Sequence, residues 1–172
     1  MNTDTMIFQG KVWKFGDEIN TDLIMPNFVT FQSELFEQEA AKYVMFAIRP
    51  EWPMLVNQGD ILIAGKNFGC GSSRPASKLL KTLGISVVVA DSVARLFFLN
   101  AIHIGLPVVI CGGASQLFEE GDLASINVQT GVVKNVTQGR EIHGAALPFD
   151  SPPDKILRAG GLELFMKKEN LI

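Results

Sequence analysis

Cysteine, histidine and long apolar runs are all scarce in this chain. Its 172 residues include two cysteines, two histidines and a single tyrosine. Two thiols, Cys70 and Cys111, cannot staple a small secreted fold, and they fit a reduced, cytoplasmic setting better. The longest apolar runs, at residues 87–90 and 106–111, are far below the ~20 residues that a membrane helix needs. The opening MNTDTMIFQG has neither the basic nor the apolar region of a secretory leader, so none is expected. Net charge is −3 and no Lys/Arg block stands out, which removes the electrostatic footprint of nucleic-acid binding. Internal repeats, low-complexity tracts and linkers are also missing.

What is there is an ordinary globular composition, 47% hydrophobic and 19% charged. The length predicts one domain with one sizeable core. Ile7–Lys14 alternates apolar and polar residues and reads as a strand. The acidic stretch DEINTDLIMPN that follows reads as an irregular loop. A short helix is predicted over residues 35–43, an extended Pro-rich connection after it, and a buried strand at ILIAG. A helix over residues 75–83 can start on Pro75 and stop on Gly84. ISVVVA is a β-branched run expected to be buried on both faces, and PVVIC is the next strand. Between them, Ser92 can cap a helix that runs through His103. Strand, loop, helix, strand, helix, strand is a βαβ pattern and implies a mainly parallel sheet. Further on, SINVQTGVVKNVTQGREIHG reads as an antiparallel hairpin with Thr-Gly and Gln-Gly turns. The tail reads as a short helix, a Gly-Gly break and a last short segment.

The densest signal is GKNFGCGSSRP, residues 65–75. Glycines ahead of a helix allow positive φ and close backbone approach, and the helix N-terminus attracts anions. Arg74 adds a planar fork suited to a carboxylate. Ser72 and Ser73 can cap, bind or react. The stretch fails the phosphate-loop pattern, because no GK[ST] occurs, and the dinucleotide fingerprint, because Arg74 stands where the third glycine is required. On the loop alone, an anion site, a structural corner and a catalytic loop all stay open.

In its wider context the stretch resembles the swivelling domain of the aconitase family. The run from Gly65 to Val109 carries that family's NFGCGSSR loop, then Gly84, Ser92, Ala94, Arg95, Phe97, Asn100 and Gly105-Leu106 in register. Upstream, GDEINTDLIMP resembles the family's TD-containing acidic loop. The similarity is strongest to the separate small subunits of 3-isopropylmalate dehydratases. It implies an α/β fold: a swivelling β/β/α domain with a mainly parallel βαβ core and antiparallel additions. It also implies a hydro-lyase that interconverts 2- and 3-isopropylmalate in leucine biosynthesis, active with a large subunit that carries a four-iron four-sulfur cluster. Cys70 and Cys111 cannot form a C-x-x-C ligand set, so no metal or cluster is expected on this chain.

Carried over residue by residue, Ser72 is the expected catalytic base. Arg74, Ser73, Gly71, Asp22 and Thr21 are the expected substrate-binding residues, with Ser73 binding substrate or capping the helix. Phe28, Val29 and Thr30 fall in the expected specificity loop. Its NFVTF sequence lacks arginine, and Phe28, Val29 and Phe31 favour an apolar substituent over a third carboxylate. Arg95 is expected to be structural, Cys70 a small packed residue, His103 a helix-end histidine and His143 exposed. Phe97, Phe98 and the methionines are expected in the core. The chain departs from the family where SSREHA becomes SSRPAS, so Pro75-Ala76 replaces a Glu-His pair. Other substituted malates (dimethylmalate, citraconate or methylmalate, homoaconitate) and a non-catalytic carboxylate-binding module remain as alternatives.

Overall fold

A computed structural model describes residues 6–29, 34–71 and 74–172, so Thr30, Phe31, Ser72 and Ser73 lie outside the described residues. In chain order the elements are β1 (Ile7–Lys14), α1 (Thr21–Ile24), α2 (Glu34–Ala41), α3 (Trp52–Leu55), β2 (Ile61–Ala64), α4 (Ala76–Leu83), β3 (Val87–Ala90) and α5 (Arg95–His103). They continue with β4 (Val108–Ile110), α6 (Ala114–Leu117), β5 (Leu123–Asn127), β6 (Val132–Asn135), β7 (Arg140–His143), α7 (Pro152–Ala159) and α8 (Leu162–Lys168). The strands form a seven-stranded sheet in the order β4-β3-β2-β1-β5-β6-β7.

Strand β1 belongs to both halves of that sheet. Val12, Trp13 and Lys14 pair in parallel with β2, whereas residues 7–11 pair antiparallel with β5. Gly10 lies in the second half, where any Cβ would collide with the Gly59 carbonyl oxygen, so the close approach requires glycine. On the parallel side, β2 and β3 are buried at every position, as expected for strands covered on both faces. Their side chains alternate between two cores. Trp13, Leu62 and Val88 face one core with Leu79, Leu80 and Phe97, while Val12, Ile61, Ile63, Val87 and Val89 face the other with Phe118, Ile126 and Val133. Each large apolar side chain so placed contributes about 1.5–3 kcal/mol. The Trp13 indole donates to the buried Asp60 carboxylate at 2.7 Å, which satisfies a polar pair at the β1–β2 edge.

Several local expectations change. The acidic loop contains the one-turn helix α1, because Asn20 adopts extended backbone and its side chain accepts from Leu23 N at 2.8 Å. Ser92 does not cap α5: the N-cap is Ala94, without a side-chain hydrogen bond. Pro75 stands one residue earlier than expected, at the N-cap of α4, while Gly84 ends the helix at φ 119° as predicted. The predicted hairpin is a three-stranded meander, its turns placed by Gly131 and Gly139 at positive φ.

Asp122 ties the meander together. Its carboxylate accepts from Glu119 N (2.9 Å), Asn135 Nδ2 (2.6 Å) and Gln138 Nε2 (3.0 Å). The Glu119 amide, foremost, and the two side-chain amides hold its pKa below the usual aspartate range, against the opposing cost of burial. The folded value lies below the unfolded one, so this stabilisation is complete above about pH 4 and is lost as pH falls through the lowered value. Asp122→Ala is expected to lose about 1–3 kcal/mol at neutral pH, since buried Asn135 and the Glu119 amide lose their acceptor. Thermal melts from pH 7 to pH 3 should show a shallower acid slope for the variant.

Candidate active site

The candidate site starts where β2 ends. Residues 65–71 run as an irregular strand between two other segments. On one side lie residues 16–21: Gly65 N donates to Gly16 O (3.1 Å), Glu18 N to Lys66 O (2.8 Å), Gly69 N to Ile19 O (2.7 Å) and Thr21 N to Cys70 O (2.8 Å). On the other lie residues 92–94, with Phe68 N donating to Ser92 O (3.0 Å) and Ala94 N to Phe68 O (2.9 Å). Side chains close what the backbones leave open. Asp17 Oδ1 accepts from Lys66 N at 2.7 Å, and Ser92 Oγ accepts from Asn67 N at 2.8 Å. That bond is what Ser92 does in place of capping.

This clamp narrows the anion-binding reading of the loop. The amides of Gly65, Lys66, Asn67, Phe68 and Gly69 all donate within the protein and cannot cradle a carboxylate. The amides of Cys70 and Gly71 have no acceptor among the described residues. Any backbone contact to an anion therefore belongs to the last part of the loop, next to the N-terminus of α4.

Packing fixes the loop from below. Phe68 is fully buried and meets Phe97 edge-to-face, with ring centroids 5.2 Å apart. Gly69, at φ 74°, lies against the Phe97 ring, where a Cβ would collide. Gly71, at φ 105°, sits beside buried Thr21, whose Oγ1 would be 3.2 Å from an added Cβ.

Arg74 and Asp22 come together across this junction. Arg74 Nε lies 3.3 Å from Asp22 Oδ1, tying α1 to the residues just ahead of α4. Pairing through Nε leaves the two terminal nitrogens of the guanidinium for a further acceptor. Both side chains are partly exposed. The candidate site residues Gly71, Thr21, Asp22 and Arg74 are thus gathered in one place, and Ser72 and Ser73 connect Gly71 to Arg74 in the sequence.

The expected specificity residues separate. Val29 is buried with Ile24, Met25, Val44 and Met45, whereas Phe28 is 64% exposed. Phe28 stacks edge-to-face on Tyr43 (5.3 Å) and Phe46 (6.4 Å), forming an aromatic surface group. An apolar face is present, but it is built by Phe28 with two aromatics that the sequence reading did not select.

Of the remaining residues, His103 and His143 are exposed, and Phe97 is in the core. Cys70 is half-buried, whereas Cys111 is buried, and burial with Asp91 nearby pushes its thiol pKa up. Arg95 is exposed at the first turn of α5 with no side-chain partner among the described residues, which offers no support for a structural brace. Among the described residues, no group of three or more His, Cys, Asp or Glu stands together as a metal site would need. None of the described helices is long and apolar enough to cross a membrane.

The aconitase C-terminal domain family matches residues 25–111, which take in the glycine loop and Arg74. A solved structure of 3-isopropylmalate dehydratase from Methanocaldococcus jannaschii superposes with a TM-score of 0.87 at 35% identity, covering 96% of each chain. The isopropylmalate/citramalate isomerase small subunit of M. jannaschii is 44% identical over 165 residues, 95% of each chain. The 3-isopropylmalate dehydratase small subunit of Heliobacterium modesticaldum is 42% identical over 163 residues, 94% of this chain and 96% of that one. The chain belongs to the aconitase-type family of 3-isopropylmalate dehydratase small subunits.

Proposed function

We propose that this chain is the small subunit of a two-chain hydro-lyase that interconverts 2- and 3-isopropylmalate by dehydration and rehydration, the isomerisation used in leucine biosynthesis. The observation that carries the reading is the Asp22–Arg74 pair, set at the end of a clamped glycine loop in a chain that matches such small subunits over nearly its whole length. The partner is a large subunit, and the setting is the cytoplasm.

The chain's own residues would do three things. Arg74 takes a substrate carboxylate through its free nitrogens while Asp22 holds the guanidinium in place. The amide of Gly71 and the N-terminus of α4 add positive potential at the same point. Ser72 takes the proton α to a carboxylate; a serine hydroxyl is a weak base, so the fixed positive groups around it must stabilise the developing alkoxide. With no cysteine ligand set on this chain, a four-iron four-sulfur cluster belongs to the large subunit, where it would supply Lewis acidity toward the substrate hydroxyl.

The substituent on the substrate is read by an apolar face. Phe28 and its aromatic neighbours favour an alkyl group over a third carboxylate, which would be left unpaired there. A methyl-substituted malate is the second reading, favoured by the citramalate in the name of the M. jannaschii relative. The test is co-expression with a cluster-carrying large subunit, then turnover on isopropylmalate, citramalate, dimethylmalate and homoaconitate. Isopropylmalate should be the best substrate and homoaconitate the worst. A preference for homoaconitate would overturn the apolar assignment, and failure to co-purify with any such partner would overturn the two-chain reading.

A further inference from the structure

Two non-glycine residues with left-handed backbones face each other across the loop: Glu18 and Asn67, both at φ 57°. Asparagine adopts that conformation readily, but glutamate does so at a cost. Glycine would suit position 18 better on backbone grounds alone. A residue kept in an unfavourable conformation is held there by contacts that its side chain or neighbours make.

The contacts of Glu18 all reach the glycine loop. Its amide donates to Lys66 O at 2.8 Å. Its Oε2 accepts from Asn67 Nδ2 at 2.8 Å and lies 4.0 Å from Cys70 Sγ, within reach of a weak thiol donor. Residues 66, 67 and 70 bracket Gly69, so one carboxylate grips the loop on both sides of its bend against Phe97. Immediately beyond that grip the chain passes through Gly71 to Ser72 and Arg74.

We propose that Glu18 is a positioning residue. Its carboxylate, acting through Asn67 and Cys70, fixes the end of the clamp from which the chain continues to Ser72 and Arg74, and so governs how these two act on the substrate. The backbone ladder holds residues 65–70, ending at the bond from Thr21 N to Cys70 O; the carboxylate adds a side-chain grip on Asn67 and Cys70 that the ladder does not supply. This role rests on the hydro-lyase reading above, since it matters for turnover only if residues 72 and 74 act on substrate.

Three variants separate positioning from mere structure. Glu18→Gln keeps an oxygen acceptor for Asn67 Nδ2. Glu18→Ala removes it, and Glu18→Gly removes it while relieving the left-handed strain, so the glycine variant stays folded even if the alanine one does not. With the reconstituted pair on isopropylmalate, Ala and Gly should lower kcat ~10-fold or more with KM within ~3-fold, and Gln should stay within ~3-fold of wild type. The glycine variant should melt at or above the alanine variant, so that activity falls without loss of stability. In the isolated chain, iodoacetamide labelling of Cys70, read by mass spectrometry, should speed up several-fold in Ala and Gly but not in Gln, with buried Cys111 as the unreactive reference.

A kcat for Glu18→Gly within twofold of wild type would overturn the proposal, as would a Gln variant as slow as Ala or an effect on KM alone. If the wild-type pair does not turn over isopropylmalate, the substrate reading fails and the labelling decides for Glu18. An unchanged Cys70 rate in Glu18→Ala and Glu18→Gly would then overturn it.

Discussion

Ser72→Ala is expected to lower kcat of the reconstituted enzyme by roughly 10²–10⁴-fold, the range for losing a positioned general base. KM should change little, because the carboxylate contacts come from Arg74 and the end of the glycine loop rather than from the serine hydroxyl. Ser73→Ala is the control. Because Pro75 and not Ser73 stands at the N-cap of α4, Ser73 keeps only its substrate-binding expectation, and its loss should act on KM and leave kcat near wild type. The measurement is steady-state turnover with co-elution of both subunits, which separates loss of chemistry from loss of assembly. A Ser72→Ala enzyme within tenfold of wild type would refute the assignment of the base. Nothing else in the clamped loop offers an obvious substitute, since Cys70 directs its thiol toward Glu18.

Arg74→Ala should act in the complementary way, raising KM for isopropylmalate by ~100-fold or more as a charge-assisted pair with the substrate carboxylate is lost. The ion pair with Asp22 offers an internal check. If Arg74 served only to join α1 to α4, removing either partner would have the same effect, and the double variant would be no worse than either single one. If the guanidinium also binds substrate, Arg74→Ala should exceed Asp22→Asn clearly. Arg74→Lys should recover part of the loss, because it restores the charge but not the planar fork.

Much of this fold can be read along the chain, and the reasons are local. Strand β1 shows its alternation, Gly84 stands at the position where a left-handed stop is needed, and glycine marks both turns of the meander. The misreadings come from partners far away in sequence. A serine ahead of an apolar run looks like a cap, yet the Ser92 hydroxyl meets an amide 25 residues upstream. Asn20 begins a helix too short for periodicity to show, and Val29 turns into the core while its neighbour Phe28 turns out. The candidate site could be nominated from the sequence because most of its residues stand in one stretch, residues 65–75. Its support could not, since neither the left-handed backbone of Glu18 nor the pairing of Arg74 with Asp22 leaves a mark on the sequence.

The three-way clamp has a consequence for how the site comes into being. Its fastening bonds join Asp17 to Lys66, 49 residues apart, and Asn67 to Ser92, 25 apart. Contacts of that separation form only once the intervening chain has closed, so the loop cannot take shape ahead of the strands that flank it. A synthetic peptide of residues 65–75 should have no affinity for the substrate. In native-state hydrogen exchange, the Gly69 amide should be released only with the opening of the parallel half of the sheet, so readiness for catalysis would be gained and lost together with the fold itself.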